Sequence, residues 1–318
     1  MALDQISATT QEFYVPLLKD NILRSNPTLI YMARKEQKID GGSVIRVPVV
    51  LGLNTSATSY SGADTFDLSF DEEITAAEFN WVQYVITISI TGLDDIRNNG
   101  GRAVLNLIRS KLQIAEASLR NRMGVDLQGD GTGNNNKNLV GLKALVDDGT
   151  NYTSYGNLSR TVYPSWGGQL YANGGVGRAC TLNLMNNAFE SAVLDNARPN
   201  LLTTTHAVYT HYMLMLQPQM RYSDARLADM GFSNLKFQNR PLVVDEQIPT
   251  SPTHKIWMLN TDHIDLYVHR ERNFRFVPFQ VIYNQDVAVA KILWAGALAG
   301  SEPRLNVQLT DLDPTLNS

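Results

Sequence analysis

The segment from Arg102 to Asn134 constrains this chain more than any other. It reads RAVLNLIRSKLQIAEASLRNRMGVDLQ and runs into GDGTGN. Val104, Ile108, Leu112, Ala115, Leu119 and Met123 recur at the spacing of one helical face. The charged residues Arg109, Lys111, Glu116, Arg120 and Arg122 fall largely off that stripe. A helix of about 26 residues, rising ~1.5 Å per residue, is a rod of about 39 Å. Gly129, Gly131 and Gly133 end it and are assigned as a hinge, because glycine tolerates backbone angles that a side chain forbids. A rod of that length acts as a beam on which the other segments are mounted.

Upstream of the beam, Gly41-Gly42 opens the strand SVIRVPVVLGL, and Pro48 confines it to an edge or to pairing on one side. A second strand alternates Val82, Tyr84, Ile86, Ile88 and Ile90 with Gln83, Thr87, Ser89 and Thr91. Closing these two strands on each other gives an extended hairpin with a long tip. From Leu51 to Asn80 the tip holds six acids (Asp64, Asp67, Asp71, Glu72, Glu73 and Glu78) and no Lys or Arg. Tyr60, Phe66, Leu68, Phe70, Phe79 and Trp81 make it too apolar for a merely solvated loop. Such a tip is expected to dock on another subunit.

The remaining chain is a mixture of helices and strands. Ser7 to Leu23 predicts a short helix interrupted by Pro16, and Asn26-Pro27 a turn. After the beam comes a loop-rich stretch to Cys180. Thr181 then caps a helix to about Asn196, with Met185, Ala188, Phe189 and Ala192 on one face. LLTTT reads as a strand and AVYTHYMLMLQ as a helix ending before Pro218; PLVVDEQIP, KIWMLN and IDLYVH read as strands. DVAVAKILWAGALAG and RLNVQLTDL are long strand-like runs that close the chain. The fold class is therefore α+β.

Chemistry is hard to find in this sequence. A net charge of −4 makes no electrostatic case for nucleic acid as the main partner. Cys180 is the only cysteine, which excludes an internal disulfide and a Cys-rich metal site. No apolar run is long enough to span a bilayer, and the N-terminus lacks the pattern of a secretory signal, so folding in a cytoplasm is expected. His206 and His211 lie five apart, the wrong spacing for a shared helical face, and no G-x-S-x-G elbow occurs. GDGTGN fails the dinucleotide fingerprint in its glycine spacing and follows a helix rather than a strand. Asp126 and Asp130 lack the spaced oxygen ligands of a calcium loop. No catalytic, cofactor-binding or metal residues are assigned. What stands out is mechanical: an arm, an acidic apolar-tipped hairpin, a beam and a glycine turn.

That ordered set resembles the major capsid proteins of tailed phages, with the Hong Kong 97-type shell fold. The residues that carry the resemblance are the beam followed by GDGTGNNNKNLVGLKAL (129–145), PNLLTTTHAVYTHYMLML (199–216), RPLVVDEQIP (240–249), KIWMLNTDHIDLYVHRERNFRF (255–276) and NQDVAVAKILWAGALAGSEPRL (284–305). The resemblance implies an N-terminal arm over residues 1–37 and an extended loop over 38–91. It implies a peripheral domain over 92–133 and 266–318, with the beam as its spine helix, and an axial domain over 134–265. It further implies pentamers and hexamers of identical subunits, tiling an icosahedral shell around double-stranded DNA in a virion. Partners would be a portal protein, a decoration protein and, since Met1 begins almost at the arm, a separate scaffolding protein. No Lys lies between Lys38 and Lys111, so the shell is expected to be non-covalent. DNA contact would be weak and non-specific.

The charge pattern adds a lattice expectation. The acidic tip, through Asp64, Asp67, Asp71, Glu72 and Glu73, is set to lie on a neighbour's basic surface, which includes Arg270, Arg272 and Arg275. Phe66, Phe70 and Trp81 would supply burial. Exposed ion pairs contribute only about 0–1 kcal/mol each and would set register more than affinity. An encapsulin-like cargo compartment of the same fold is the alternative, and a hydrolase with an unrecognised site is a third reading.

Overall fold

The computed structural model describes residues 26–52, 56, 58–65, 74–93, 101–220 and 235–316. The expected helix over Ser7–Leu23 lies outside them. The beam is a helix, Gly101–Leu127. The apolar residues of the predicted stripe that are described, Ile108, Leu112, Ala115, Leu119 and Met123, are each under 7% exposed, and the side chain of Val104 lies outside the described residues. The next turn adds Leu127.

Asn26-Pro27 is a helix start and not a turn. Asn26 caps the helix Pro27–Ala33, its Oδ1 accepting from Leu29 N at 3.1 Å. Proline at the first helical position sacrifices an N–H that had no partner there anyway, and Asn before it is a preferred cap.

The strands, in chain order, are β1 Gln37–Ile39, β2 Ile45–Val50, β3 Ile74–Phe79, β4 Val82–Thr91, β5 Ser154–Tyr155, β6 Leu158–Ser159, β7 Gln169–Tyr171, β8 Leu201–Thr204, β9 Lys236–Phe237, β10 Arg240–Val244, β11 His254–Leu259, β12 Ile264–His269, β13 Arg275–Val281, β14 Val287–Gly300 and β15 Val307–Leu312. One sheet runs β1-β12-β14-β13, with β4 also paired to β14. A second runs β7-β15-β11-β8-β10-β9.

The hairpin differs from the expected one. β2 pairs with β3, from Ile45 opposite Phe79 to Val50 opposite Ile74. β4 instead lies along β14 from Val82–Gly296 to Thr91–Val287. The alternation in β4 is real, with Val82, Ile88 and Ile90 buried and Gln83, Thr87 and Ser89 exposed, but it marks the buried face and not the strand that pairs along the edge. β3 was hard to read because ITAAEF places two alanines mid-strand, a residue of low strand preference. Pro48 sits on the exposed side of β2, where Ile45, Val47 and Val49 alternate inward.

Two apolar clusters result. The first joins the spine helix, the helix Pro27–Ala33, the first sheet, the hairpin root and the loop bearing Tyr155 and Trp166. The second gathers Met185, Phe189, Leu202, Val208, Phe237, Met258 and Leu309 around the second sheet. Strand β15, expected beside the spine helix, pairs with β11 and β7 in that second sheet. Its residues Val307, Leu309 and Leu312 are fully buried, which a place in the middle of a sheet provides. The helix after Thr181 runs Leu182–Ser191, shorter than expected, capped by Thr181 Oγ1 accepting from Leu184 N at 3.2 Å. The helix His206–Met220 continues through Pro218, which falls in its last turn.

Candidate functional site

The hairpin root is where the segments singled out by sequence meet. Trp81 links β3 to β4. Its Nε1 donates to Gly42 O at 2.9 Å, and its ring meets the His269 ring edge-on at 5.7 Å. Arg270 pairs with Asp40 at 3.0 Å, both exposed, and Arg272 donates to Gln83 Oε1 at 3.0 Å. Arg275 is exposed on β13. So Trp81, Arg270 and Arg272 gather within one chain at the foot of the hairpin. Asp64 is exposed farther out, its Oδ2 accepting from Ser61 N at 2.8 Å. Phe66, Asp67, Phe70, Asp71, Glu72 and Glu73 lie outside the described residues, as do the side chains of Arg102, Arg109 and Arg120.

Beneath the root lies a cavity of about 580 Å³, bounded by Trp81, Asp130, Lys137, Asn138, Tyr152 and Tyr155 among others. Two carboxylates brace its walls. Asp126, buried on the spine helix, accepts from Tyr84 Oη at 2.7 Å, Arg122 Nε at 2.9 Å and Asn138 Nδ2 at 3.0 Å. Tyr84 Oη in turn accepts from Leu139 N at 3.0 Å, and burial above all pushes the Tyr84 phenol beyond its ordinary range. Asp130 accepts from Thr132 Oγ1 at 2.6 Å, Tyr152 Oη at 2.7 Å and Lys143 Nζ at 3.0 Å. The hydrogen bonds from Thr132 and Tyr152 lead in holding its carboxyl far below the usual carboxylate range. None of these braces was found from the sequence, although an aspartate two residues before a threonine is a local turn signal.

The loop that delivers Tyr152 and Tyr155 is organised by a buried ion pair. Arg160 and Asp147 are each 1% exposed and 3.7 Å apart. Arg160 donates to the carbonyls of Ala144, Leu145 and Tyr152, at 2.8, 2.9 and 3.0 Å. Asp147 accepts from the backbone N–H of Gly149, Asn151 and Tyr152. Tyr155 then packs edge-on against Phe79 of β3 at 5.2 Å, and Gly156 O accepts from Glu78 N at 2.8 Å.

Of the three glycines assigned as a hinge, only Gly131 uses a left-handed backbone, at φ 86°. Gly133 is instead a close approach: a Cβ there would lie 2.3 Å from Asn138 Nδ2. The left-handed turn is carried by Asn134, Asn135 and Asn136, with φ of 51°, 56° and 61°. Asparagine accepts that region more readily than most residues.

The distal half of the hairpin is different in character. Val50 and Ile74 face each other across its end, 68% and 69% exposed. The β13–β14 turn also leaves Val281, Ile282 and Tyr283 exposed. Among the described residues no group of three or more His, Cys, Asp or Glu is placed to hold a metal ion, and no helix is long and apolar enough to cross a membrane. Cys180 is buried, and burial pushes its thiol up to about 11.

No protein-family model matches this chain, and no curated protein sequence does. Solved structures do. The chain is similar to the capsid asymmetric unit of Cyanophage A-1(L), with 13% identity and a TM-score of 0.66, covering 91% of this chain and 93% of that one. It is similar to the holo-SrpI encapsulin complex from Synechococcus elongatus PCC 7942, with 12% identity and a TM-score of 0.59, covering 89% and 86%. It is also similar to the capsid of Myoviridae Phage XM1, with 11% identity and a TM-score of 0.53, covering 86% and 87%. The fold is the Hong Kong 97-type α+β fold that these shell proteins share.

Proposed function

We propose that this chain is the major capsid protein of a tailed bacteriophage, a subunit that assembles with identical copies into the icosahedral shell around the packaged DNA. One observation carries the reading: the likeness to the Cyanophage A-1(L) capsid extends over nine-tenths of both chains. The exposed apolar pair at the hairpin's distal end, Val50 and Ile74, suits a surface meant for a neighbour. The arm spans residues 1–37, the extended loop 38–91, the peripheral domain 92–133 with the last part of the chain from 266, and the axial domain 134–265, except that β15 belongs with the axial sheet. The acidic tip of one copy lies on the basic side of the next, near Arg270, Arg272 and Arg275. At Gly129, Gly131 and Gly133 the spine helix changes direction relative to the segment after it. The chain performs no catalysis. Assembly takes place in the host cytoplasm, with separate scaffolding, portal and decoration proteins.

Electron microscopy of the expressed protein tests this. Closed shells are the expected result; a monomer with measurable turnover overturns it. The likeness to an encapsulin complex favours a second reading, a cargo compartment. Native shells that hold enzyme rather than DNA would select it. Charge reversal at Asp71, Glu72 and Glu73 should block assembly while the monomer still folds, and normal shells from that variant would dismiss the docking of the tip. Boiled, denatured shells should run as a single band at 35.4 kDa; a ladder of multimers would show covalent linkage.

A further inference from the structure

The two long outer strands of the first sheet, β13 and β4, are unlike. β13 is blunted: Pro278 lies mid-strand, and the register on β14 shifts between Val277 and Gln280. β4 pairs with β14 and, among the described residues, with no second strand. Its sequence VQYVITISIT holds no charge, proline or glycine, and so none of the usual guards of an open edge. Gly92 N donates to Asp286 O at 3.0 Å, which sets the phase of the ladder. Counting back from that bonded pair, the even-numbered residues of β4 bond to β14, and the backbone of Gln83, Val85, Thr87 and Ser89 points outward. All four are exposed, Val85 to 58%. Lys111 of the spine helix donates to Ser89 O at 2.7 Å and stops the open stretch at that end.

The spine helix adds a second surface on the same side. Lys111, whose side chain reaches this edge, recurs with Ser118 and Val125 at intervals of about two turns, so the three stand in one row, and Ile114 and Asn121 stand in the row beside it. Ile114 is 67% exposed and Val125 47%, and Ser118 and Asn121 are exposed. Beyond Lys111 this stripe is uncharged, and its middle is small enough to let another helix lie close. The stripe therefore looks out past the open edge of β4. Across a two-fold axis a strand pairs with itself, so any charge near the axis faces its like and destabilises the contact. A charge-free edge beside a charge-free stripe carries no such penalty, which favours a second copy of this chain over a partner of opposite charge.

We propose that two copies of this chain join β4 to β4, antiparallel, about a two-fold axis at Val85, so that the first sheet runs on from one copy into the other. Val85 of one copy lies opposite Val85 of the other, and Gln83 lies opposite Thr87. These residues exchange about six backbone hydrogen bonds across the axis. Ser89 O stays with Lys111, and that fixes the register. The two spine helices lie on the same side of the joined sheet, with Ile114 and Val125 of each turned toward the other copy. The proposal rests on the reading of the chain as a subunit that binds its own copies, and adds where two of them meet.

Cross-linking of the full-length, unassembled protein tests it, through Val85→Cys. Paired across the axis, the two Cα atoms would lie about 5.5 Å apart, within a disulfide's reach of about 4.4–6.8 Å. Cys180 is buried and stays out of the reaction. Mild oxidation should convert most of the Val85→Cys chain into a covalent dimer, whereas Thr87→Cys, about 14 Å from its counterpart, should give none. Val85→Lys with Thr87→Lys, at exposed positions, should leave the unfolding midpoint unchanged and weaken dimerisation in sedimentation about tenfold. A Val85→Cys chain that stays monomeric on oxidation, or links no faster than Thr87→Cys, overturns the proposal. Shells that form without the link would overturn the strand pairing and leave the capsid reading standing. Covalent dimers that never form shells would uphold the pairing and count against the capsid reading.

Discussion

The hairpin root and the hairpin's distal end are a few residues apart in sequence and opposite in physics. At the root, Trp81, Glu78 and Phe79 are tied to Gly42, Gly156 and Tyr155, and the walls below are braced by Asp126 and Asp130. At the distal end, Val50 and Ile74 pair across the ribbon and stay largely exposed. A two-stranded ribbon is marginal by itself in water. The root's contacts therefore aim the ribbon, whose far end leaves Val50 and Ile74 exposed.

The contrast can be broken most forcefully at the buried ion pair. Arg160→Ala strands Asp147 in the interior and removes the donor from four carbonyls, those of Ala144, Leu145, Tyr152 and Trp166, so it should cost roughly 3–5 kcal/mol in urea unfolding and abolish any downstream assembly. A loss under about 1 kcal/mol would mean that the Tyr152–Tyr155 loop is not what positions the hairpin. Next in size, Tyr84→Phe deletes a hydroxyl that bridges Asp126 and Leu139 N, and about 1–2 kcal/mol should go with it. An unchanged unfolding midpoint would show that solvent replaces the bridge freely.

A smaller effect concerns acid. Asp130 has its folded-state pKa depressed, so its contribution is present above the unfolded carboxylate value of about 3.9 and is lost as pH falls through the lower, folded value. Unfolding midpoints should drop below about pH 4, and Asp130→Asn should flatten that part of the profile. Profiles that superimpose would remove Asp130 from the brace. The smallest effect on the isolated chain belongs to the distal end. Val50→Ser with Ile74→Ser should change monomer stability by no more than about 0.5 kcal/mol while sharply lowering shell yield in electron micrographs. A destabilised monomer would show that the ribbon's end is supported from within.

The same contrast divides what the sequence revealed from what it hid. The spine helix was readable because Ile108 to Met123 repeat with one period over several turns. β4 and β14 were readable as strands, but their partnership was not, since register between distant strands leaves no local mark. β3 was overlooked because Ala76 and Ala77 replace the branched residues that announce a strand. At the site, Trp81 and Arg270 were picked out by residue type, and both sit at the root. Asp126 and Asp130 were considered and set aside as metal ligands; their partners Tyr84, Lys143 and Tyr152 come from other segments and no spacing rule joins them. The Asn134–Asn136 turn was credited to the neighbouring glycines because glycine is the usual occupant of that backbone region.

The first sheet also determines how the molecule carries load. β4 continues from the hairpin through Asn80 and Trp81 and lies along β14 from Val82–Gly296 to Thr91–Val287. Tension applied to the ribbon along its axis would try to slide β4 past β14, which requires the whole row of hydrogen bonds between them to fail together. Peeling would break them one after another. β14 is held on its other side by β12 and β13, so the force spreads across the sheet and does not concentrate at a joint. Internal pressure on a container built of such pieces would be met by sliding resistance in every wall panel.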